Sequence, residues 1–137
     1  MKNNNIKLSA SDISLREIRN VNKVLRNQYL GMGKMVYEFE KKLESFFNSN
    51  VACTVNGTAA LHLALQAAGI KRNDEVLVPS ITYVASLQAI TATGAKPVIC
   101  DVNDYDGLLS IEDAEKKISK KTKGIMPVYF AGYCGDL

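Results

Sequence analysis

The chain has 137 residues, of which 47% are hydrophobic, enough for a domain of ordinary size with its own core and too many for intrinsic disorder. Seventeen basic and fourteen acidic side chains leave a net charge of +3, which is too small to indicate a nucleic-acid or membrane partner. The three cysteines and the one histidine are scattered along the chain, so they do not predict a metal site. Because no secretory signal or membrane-spanning run is visible, the sequence predicts a cytoplasmic protein.

Two amphipathic helices are predicted before any strand. Ser14 and Glu17 have the spacing of a capping box, which predicts that a first helix begins there, after an arm formed by residues 1–10. Apolar residues at helical spacing predict a second helix over about residues 34–48. The glycines of the segment Tyr29-Leu30-Gly31-Met32-Gly33 permit a tight bend between the two helices.

Strands and helices alternate in the rest of the chain. Strands are predicted over residues 51–55, 76–78, 96–100 and 123–129, and helices over residues 58–68, 83–93 and 110–119. The strands read as continuous apolar runs, which is typical of a mainly parallel sheet with helices on both faces. Pro127 predicts an edge, a bulge or the end of the last strand. The predicted fold is therefore a three-layer α/β domain.

The segment Asn56-Gly57-Thr58 lies where the first predicted strand passes into a helix. Ligands of α/β sheets bind at the carboxyl ends of the strands. Gly57 allows close approach of the backbone, and the free amides of a helix N-terminus suit a phosphate, to which Thr58 adds a hydroxyl group. The same residues also fit a plain capped turn, because Asn-Gly is a common turn pair and Thr is a common N-cap.

Three more side chains have both a functional and a structural interpretation. Tyr83 is predicted on the same rim of the sheet as Thr58, where its ring either stacks on a flat ligand or packs as an ordinary tyrosine. His62 follows Thr58 by one helical turn, and it either approaches a phosphate or packs as an ordinary histidine. Asp101, at a strand end, either forms a turn or pairs with a ligand ring nitrogen.

Seven blocks of the sequence, in order and in register, resemble the DegT/DnrJ/EryC1/StrS family of nucleotide-sugar aminotransferases. They are residues 39–40, 56–65, 74–80, 82–85, 94–98, 101–102 and 121–128. The resemblance covers about residues 31–137. It implies the N-terminal part of the large domain of an aspartate-aminotransferase-type enzyme (fold type I), preceded by residues 1–30 as an arm and first helix. It also implies pyridoxal 5'-phosphate (PLP) as cofactor and a homodimer with active sites at the subunit interface.

The resemblance assigns roles to individual residues. Gly57, Thr58 and Ala59 are expected to hold the cofactor phosphate, and Tyr83 is expected to stack on the pyridine ring. Met32 and Gly33 are expected to belong to a loop near the sugar. The implied reaction transfers an amino group, with glutamate as donor, to a nucleotide-linked keto sugar for surface-glycan synthesis. General resemblance favours a 4-keto-6-deoxy sugar.

The resemblance also implies catalytic residues beyond position 137. In the family, the Schiff-base lysine and the carboxylate that pairs with the pyridine nitrogen come after the segment matching our last predicted strand. The surroundings of Lys34, Lys71, Lys96 and Lys123 favour none of them as a substitute. We therefore expect the 137-residue chain to be inactive alone. A non-catalytic phosphate- or nucleotide-binding module and a dimerising interaction fragment stay open as alternatives.

Overall fold

A computed structural model describes residues 10–135 of the chain. The chain divides into two compact units, Met1–Ala52 and Cys53–Leu137. The predicted arm lies outside the described residues except for its last position. The predicted domain boundary between residues 30 and 31 stays a prediction. In the described part of the chain, every helix is too short or too polar to cross a membrane.

The first unit contains two helices, α1 (Leu15–Arg26) and α2 (Lys34–Phe47). The predicted capping box is confirmed, because the Ser14 amide donates to Glu17 Oε2 over 2.8 Å and Ser14 Oγ accepts the amide of Arg16. Asn48 follows the last residue of α2 and adopts the left-handed conformation that often closes a helix. Neither helix has a buried residue, so local signals define both of them.

The second unit contains a three-stranded parallel sheet in the order β2-β1-β3. Its strands are β1 (Glu75–Pro79), β2 (Lys96–Cys100) and β3 (Thr122–Ile125), and its helices are α3 (Gly57–Ala67), α4 (Val84–Ala92) and α5 (Ile111–Lys117). A short 3₁₀ turn, Phe130–Gly132, follows β3. In the register, Leu77 of the central strand pairs with Val98 on one side and with Ile125 on the other.

The central strand β1 is buried on both faces. Val76 and Val78 belong to one core cluster with residues of α3 and α4, whereas Leu77 belongs to a second cluster with Cys100, Leu109 and Ala114 of α5. Successive side chains of a strand point to opposite faces, so helices cover both sides of the sheet. The predicted three-layer α/β fold is confirmed.

The strand predicted over residues 51–55 is wrong. These residues join no sheet in the described chain, and the side chain of Val55 is 89% exposed. The hydroxyl of Thr54 donates to the carbonyl of Asn56 over 2.9 Å, so the chain turns here. An apolar run becomes a strand only where a neighbouring strand accepts and donates its backbone hydrogen bonds.

The last predicted strand is shorter than expected. Strand β3 ends at Ile125, before Pro127, and it pairs only with β1 among the described strands. The register of this pair shifts between Glu75 and Val76. Pro127 therefore follows a strand end at the edge of the described sheet, as its lack of a backbone N–H requires.

Candidate functional site

The first turn of α3 presents free backbone amides. Asn56 is the N-cap residue, and its Oδ1 accepts the amide of Ala59 over 2.9 Å. The amide of Ala60 donates to the carbonyl of Asn56 over 3.1 Å. Within the described chain, no protein group accepts a hydrogen bond from the amides of Gly57 and Thr58. Two donors at the positive end of the helix dipole are thus available to an anion.

The backbone of this turn is open to a ligand. A Cβ atom built on Gly57 would meet nothing within 4 Å beyond the adjoining residues and the backbone of its own helix, so the rest of the described protein does not cover the main chain at this position. Asn56, rather than Thr58, supplies the cap, and no hydrogen bond engages the Thr58 hydroxyl among the residues that the structure describes. The residues present therefore fit a phosphate group, with two amides and one hydroxyl as donors.

Tyr83 stands at the start of α4, just past the carboxyl end of β1. The amide of Ser80 donates to the carbonyl of Cys100 over 2.8 Å, which ties the end of β1 to the end of β2. The hydroxyls of Thr82 and Ser86 are hydrogen-bonded over 2.8 Å and close the first turn of α4. The Tyr83 side chain projects from this fixed segment and is 78% exposed, so its ring is available to a ligand.

Packing of α3 against α4 brings these residues together around one open cleft of about 690 Å³, which we name the cradle cleft. Its lining comprises Gly57, Thr58, Ala60, Leu61, Ala64, Tyr83, Ala85 and Ser86. Ala59 is not among the lining residues, and its amide is held by Asn56. Of the four residues predicted to hold the cofactor, the structure thus brings three together.

A second cleft of about 400 Å³ lies at the carboxyl ends of β1 and β3, and we name it the strand-end cleft. Its lining comprises Ile81, Thr82, Tyr83, Val128, Tyr129, Phe130 and Ala131. Tyr83 lines both clefts. The sequence carried no motif at residues 128–131, so reasoning from the sequence missed this cleft. A prediction that β1 and β3 pair in parallel could have found it, because the two segments that line the cleft follow these strands.

Met32 and Gly33 lie in the first unit, at the start of α2. The hydroxyl of Tyr29 donates to the carbonyl of Met32 over 3.0 Å. A Cβ atom on Gly33 would collide with Cε1 of the Tyr29 ring, so glycine at position 33 lets the ring pack on the backbone. Tyr29 and Gly33 also line a cavity of about 250 Å³ within the first unit. Contact of Met32 or Gly33 with a sugar stays a prediction.

Asp101 takes part in a structural network at the end of β2. Its amide donates to Asp113 Oδ2 over 2.7 Å, and its own carboxylate accepts the amide of Val102. The ammonium of Lys117 bridges the Asp113 carboxylate and the carbonyl of Ile99. Hydrogen bonds from Lys117 and from the Asp101 amide hold the pKa of Asp113 below its usual value. Asp101 lines neither cleft, which favours its interpretation as a turn former.

His62 and the lysines do not line either cleft. The Nε2 atom of His62 is buried and has no hydrogen-bond partner in the described residues. This burial favours the interpretation of His62 as a packed histidine. No lysine of the described chain stands beside Tyr83 in the walls of these clefts. The site therefore offers amides, hydroxyls and an aromatic wall, but no amine.

Fold and site together define a class of protein. A three-layer α/β domain binds ligands at the carboxyl edge of its parallel strands, and here that edge offers anion donors on one side of an exposed aromatic ring. This arrangement fits a ligand that has both a phosphate group and a flat ring.

The profile of the DegT/DnrJ/EryC1/StrS aminotransferase family matches residues 11–137. The chain belongs to this family. Its fold is that of PLP-dependent aminotransferases of fold type I, as in Spr1654 from Streptococcus pneumoniae. That structure, solved in its PLP form, superposes with a TM-score of 0.86 at 36% identity over 96% of this chain. The aminotransferase from Psychrobacter cryohalolentis superposes with a TM-score of 0.82 at 32% identity over 90% of this chain.

Similar proteins include sugar-modifying enzymes. The GDP-perosamine synthase of Vibrio cholerae is 44% identical over 106 residues, which are 77% of this chain and 29% of the relative. The GDP-perosamine synthase of Escherichia coli O157:H7 is 42% identical over 124 residues, which are 89% of this chain and 34% of the relative. The chain thus spans about a third of the length of these relatives, as it does of the two solved structures, 34% and 32%.

Proposed function

We propose that this chain supplies the phosphate cradle and the ring-stacking wall of a PLP-dependent aminotransferase that acts on a nucleotide-linked keto sugar. The observation that carries the proposal is the shared cleft, where the unpaired amides of Gly57 and Thr58 and the exposed ring of Tyr83 line one space. Family membership over residues 11–137 supports the same assignment.

The chain's own residues would bind and orient the cofactor. The amides of Gly57 and Thr58 and the hydroxyl of Thr58 donate to a phosphate dianion, helped by the dipole of α3. Tyr83 presents a flat ring that fixes the orientation of a second flat ring. PLP, when bound, supplies an electron sink for the amino-group transfer. Ala59 would join the cradle only if the Asn56 side chain released its amide.

We propose a 4-keto-6-deoxy sugar as substrate and glutamate as amino donor. The substrate proposal rests on the family resemblance and on the GDP-perosamine synthases, which match at 42–44% identity. Another relative, the UDP-2-acetamido-2-deoxy-3-oxo-D-glucuronate aminotransferase of Pseudomonas aeruginosa, is 36% identical over 118 residues. Comparing amination of a 4-keto-6-deoxy sugar with that of a 3-oxo uronate distinguishes the two substrate classes. The homodimer, the role of Met32 and Gly33 and the cytoplasmic location stay predictions.

These 137 residues alone are proposed to bind the cofactor without completing the reaction. The walls of both clefts contain no lysine among the described residues, so no amine stands ready to hold the cofactor aldehyde covalently. Borohydride reduction of the chain with PLP should therefore label no described lysine stoichiometrically in preference to the other exposed lysines. A specific, stoichiometric adduct at one of them would contradict this part of the proposal.

The cradle is tested by titrating the chain with PLP and following the cofactor absorbance. Thr58→Val removes one hydroxyl donor and should weaken binding by roughly 1–3 kcal/mol, the scale of a hydrogen bond to a charged group. Thr91→Val is the matched control, because the hydroxyl of Thr91 bonds only carbonyls of its own helix α4. Equal affinities in the unaltered chain and the Thr58 variant would overturn the cradle.

The two alternatives make different predictions in the same titration. A phosphate- or nucleotide-binding module would bind inorganic phosphate or a nucleotide as tightly as PLP, because the ring would add nothing. A dimerising interaction fragment would bind none of these ligands at the cradle. It would instead show a mass that rises with concentration in sedimentation experiments.

A further inference from the structure

The strand-end cleft adjoins the cradle cleft through one residue, Tyr83. Its other walls come from the segment that follows β3, the neighbour of β1 in the sheet. The amide of Met126 donates to the carbonyl of Leu77 over 2.8 Å, so the backbone hydrogen bonding between β1 and β3 extends one residue past the end of β3. The two segments therefore meet at the rim where α/β proteins bind their ligands.

The two clefts differ in polarity. The cradle cleft contains the free amides and the hydroxyl of Thr58, whereas the strand-end cleft has no charged side chain among its lining residues. Three of its seven lining residues are aromatic, namely Tyr83, Tyr129 and Phe130. Its volume of about 400 Å³ falls within the range of about 300–1,000 Å³ that is usual for ligand pockets. A ligand with a charged end and an aromatic end would fit, with the charged end in the cradle cleft and the aromatic end in the strand-end cleft.

The turn that carries two of these aromatic residues is held in a costly conformation. Ala131 has a φ of 55°, in the left-handed region that non-glycine residues seldom adopt. Amide-to-carbonyl hydrogen bonds of 3.1 Å, from Gly132 to Tyr129 and from Tyr133 to Phe130, close the turn. Backbone strain of this kind concentrates at ligand-binding segments, which agrees with a binding role for this turn.

We propose that Tyr129 and Phe130 contact the pyridine ring of the cofactor, whose phosphate is held at Gly57 and Thr58. The inference rests on the proposed function. It adds the strand-end cleft as the place where the ring binds beside Tyr83. The ring is thereby recognised by aromatic side chains from two neighbouring segments, 81–83 and 128–131.

Tyr129→Leu tests the proposal by removing one aromatic wall and keeping a side chain of apolar bulk. The affinity for PLP should fall about two- to tenfold, the scale of one aromatic contact, while the affinity for inorganic phosphate stays unchanged. Tyr105→Leu is the control, because Tyr105 is 84% exposed and lines neither cleft. A Tyr129 variant that binds PLP as tightly as the unaltered chain would overturn the inference.

A second measurement uses the unaltered chain, so it does not depend on the folding of a variant. Nuclear Overhauser effects should connect protons of the bound PLP ring to aromatic protons of Tyr129 or Phe130. Contacts to Tyr83 without any to these two residues would overturn the inference and leave the proposed function standing. If the unaltered chain does not bind PLP, or if Thr58→Val leaves its affinity for PLP unchanged, the proposed function and this inference fail together.

Discussion

The two units of the chain differ in how far their apolar side chains are buried. In the second unit, Val76, Leu77 and Val78 of the central strand are all 0% exposed. In the first unit, α1 and α2 have no buried residue, and apolar side chains such as Leu25 and Phe39 are more than half exposed. The second unit is thus defined by burial, whereas the helices of the first are defined by local capping and periodicity.

This contrast indicates which of the predicted site residues are held in a fixed geometry. The cradle and Tyr83 lie on elements that flank a buried strand, so the sheet fixes their separation. The loop containing Met32 and Gly33 lies between two helices without buried residues, where one tyrosine packed on one glycine sets the local shape. A site built on a packed core is better ordered for binding than one on a loop held by few contacts.

The largest expected effect comes from emptying the core of the second unit. Leu77→Ala should lower the free energy of unfolding by about 2–5 kcal/mol, because it leaves a cavity between buried neighbours. Leu25→Ala in α1 should change the free energy of unfolding by no more than about 0.5 kcal/mol, because that side chain is 52% exposed. Urea unfolding followed by circular dichroism measures both changes. Similar losses in the two variants would mean that the units do not differ as described.

The next effect concerns the cap of α1. Ser14→Ala removes the capping box and should cost about 1 kcal/mol of helix stability. Because α1 buries no side chain, amide hydrogen exchange across Leu15–Arg26 should accelerate measurably. Ser45→Ala within α2 serves as control and should leave exchange in α1 unchanged. Unaltered protection of α1 in the Ser14 variant would show that packing, not capping, maintains this helix.

A smaller effect is expected at the glycine loop of the first unit. Gly33→Ala would force the Tyr29 ring aside and break its hydrogen bond to the Met32 carbonyl. The cost should be about 0.5–1.5 kcal/mol, the net value of one hydrogen bond. Gly31→Ala places its new methyl group 3.9 Å from the same ring and should leave the bond intact. The chemical shifts of the Tyr29 ring protons report the difference.

The smallest effect is the pH dependence of the Asp113–Lys117 pair at the end of β2. The hydrogen bond from Lys117 lowers the pKa of Asp113 in the folded chain. The stability it contributes is therefore present above the ordinary value of 3.8 and is lost as the pH falls through the lower folded-state pKa. The same pair raises the pKa of Lys117. The pair therefore also loses its contribution as the pH rises through that raised value, and it stabilises the chain only at pH values where both groups are charged.

Lys117→Met tests this pair by urea unfolding at several pH values. The difference in stability between the unaltered chain and the variant should be largest near neutral pH and should shrink as the pH falls below about 3.8. Lys120→Met is the control, because no ion pair involves Lys120 in the described residues. A difference that stayed constant from pH 6 to pH 2.5 would exclude the proposed linkage.

Much of the second unit was predictable because its signals are local. Gly69 and Gly94, both with positive φ, end α3 and α4 as expected, and Ser110 caps α5 through the amide of Asp113. The run at 51–55 has the same apolar character as the true strands. Whether it pairs depends on a neighbour that periodicity does not reveal, so its prediction failed.

The site was predictable in part for the same reason. Gly57 and Thr58 carry a recognisable turn signal, and Tyr83 follows a clear strand. The capture of the Ala59 amide by Asn56 depends on one side-chain rotamer, although an Asn three residues before Ala59 is a capping signal that could have found it. Residues 128–131 line the strand-end cleft because Leu77 of β1 pairs with Ile125 of β3, which brings the segment after β3 to this edge. That pairing joins distant parts of the sequence, so local patterns did not predict it.

The central claim is that a phosphate binds at the first turn of α3 and not at the first turn of α1, and backbone amide NMR during titration with PLP tests it most directly. At the start of α1, the Glu17 carboxylate bonds the amide of the N-cap residue Ser14 and repels an anion, so the amides of its first turn should not move. The amides of Gly57 and Thr58 should show saturable shifts that inorganic phosphate also produces. Saturation of the PLP absorbance change while these two amides stay still, or equal shifts at α1 and α3, would contradict the claim.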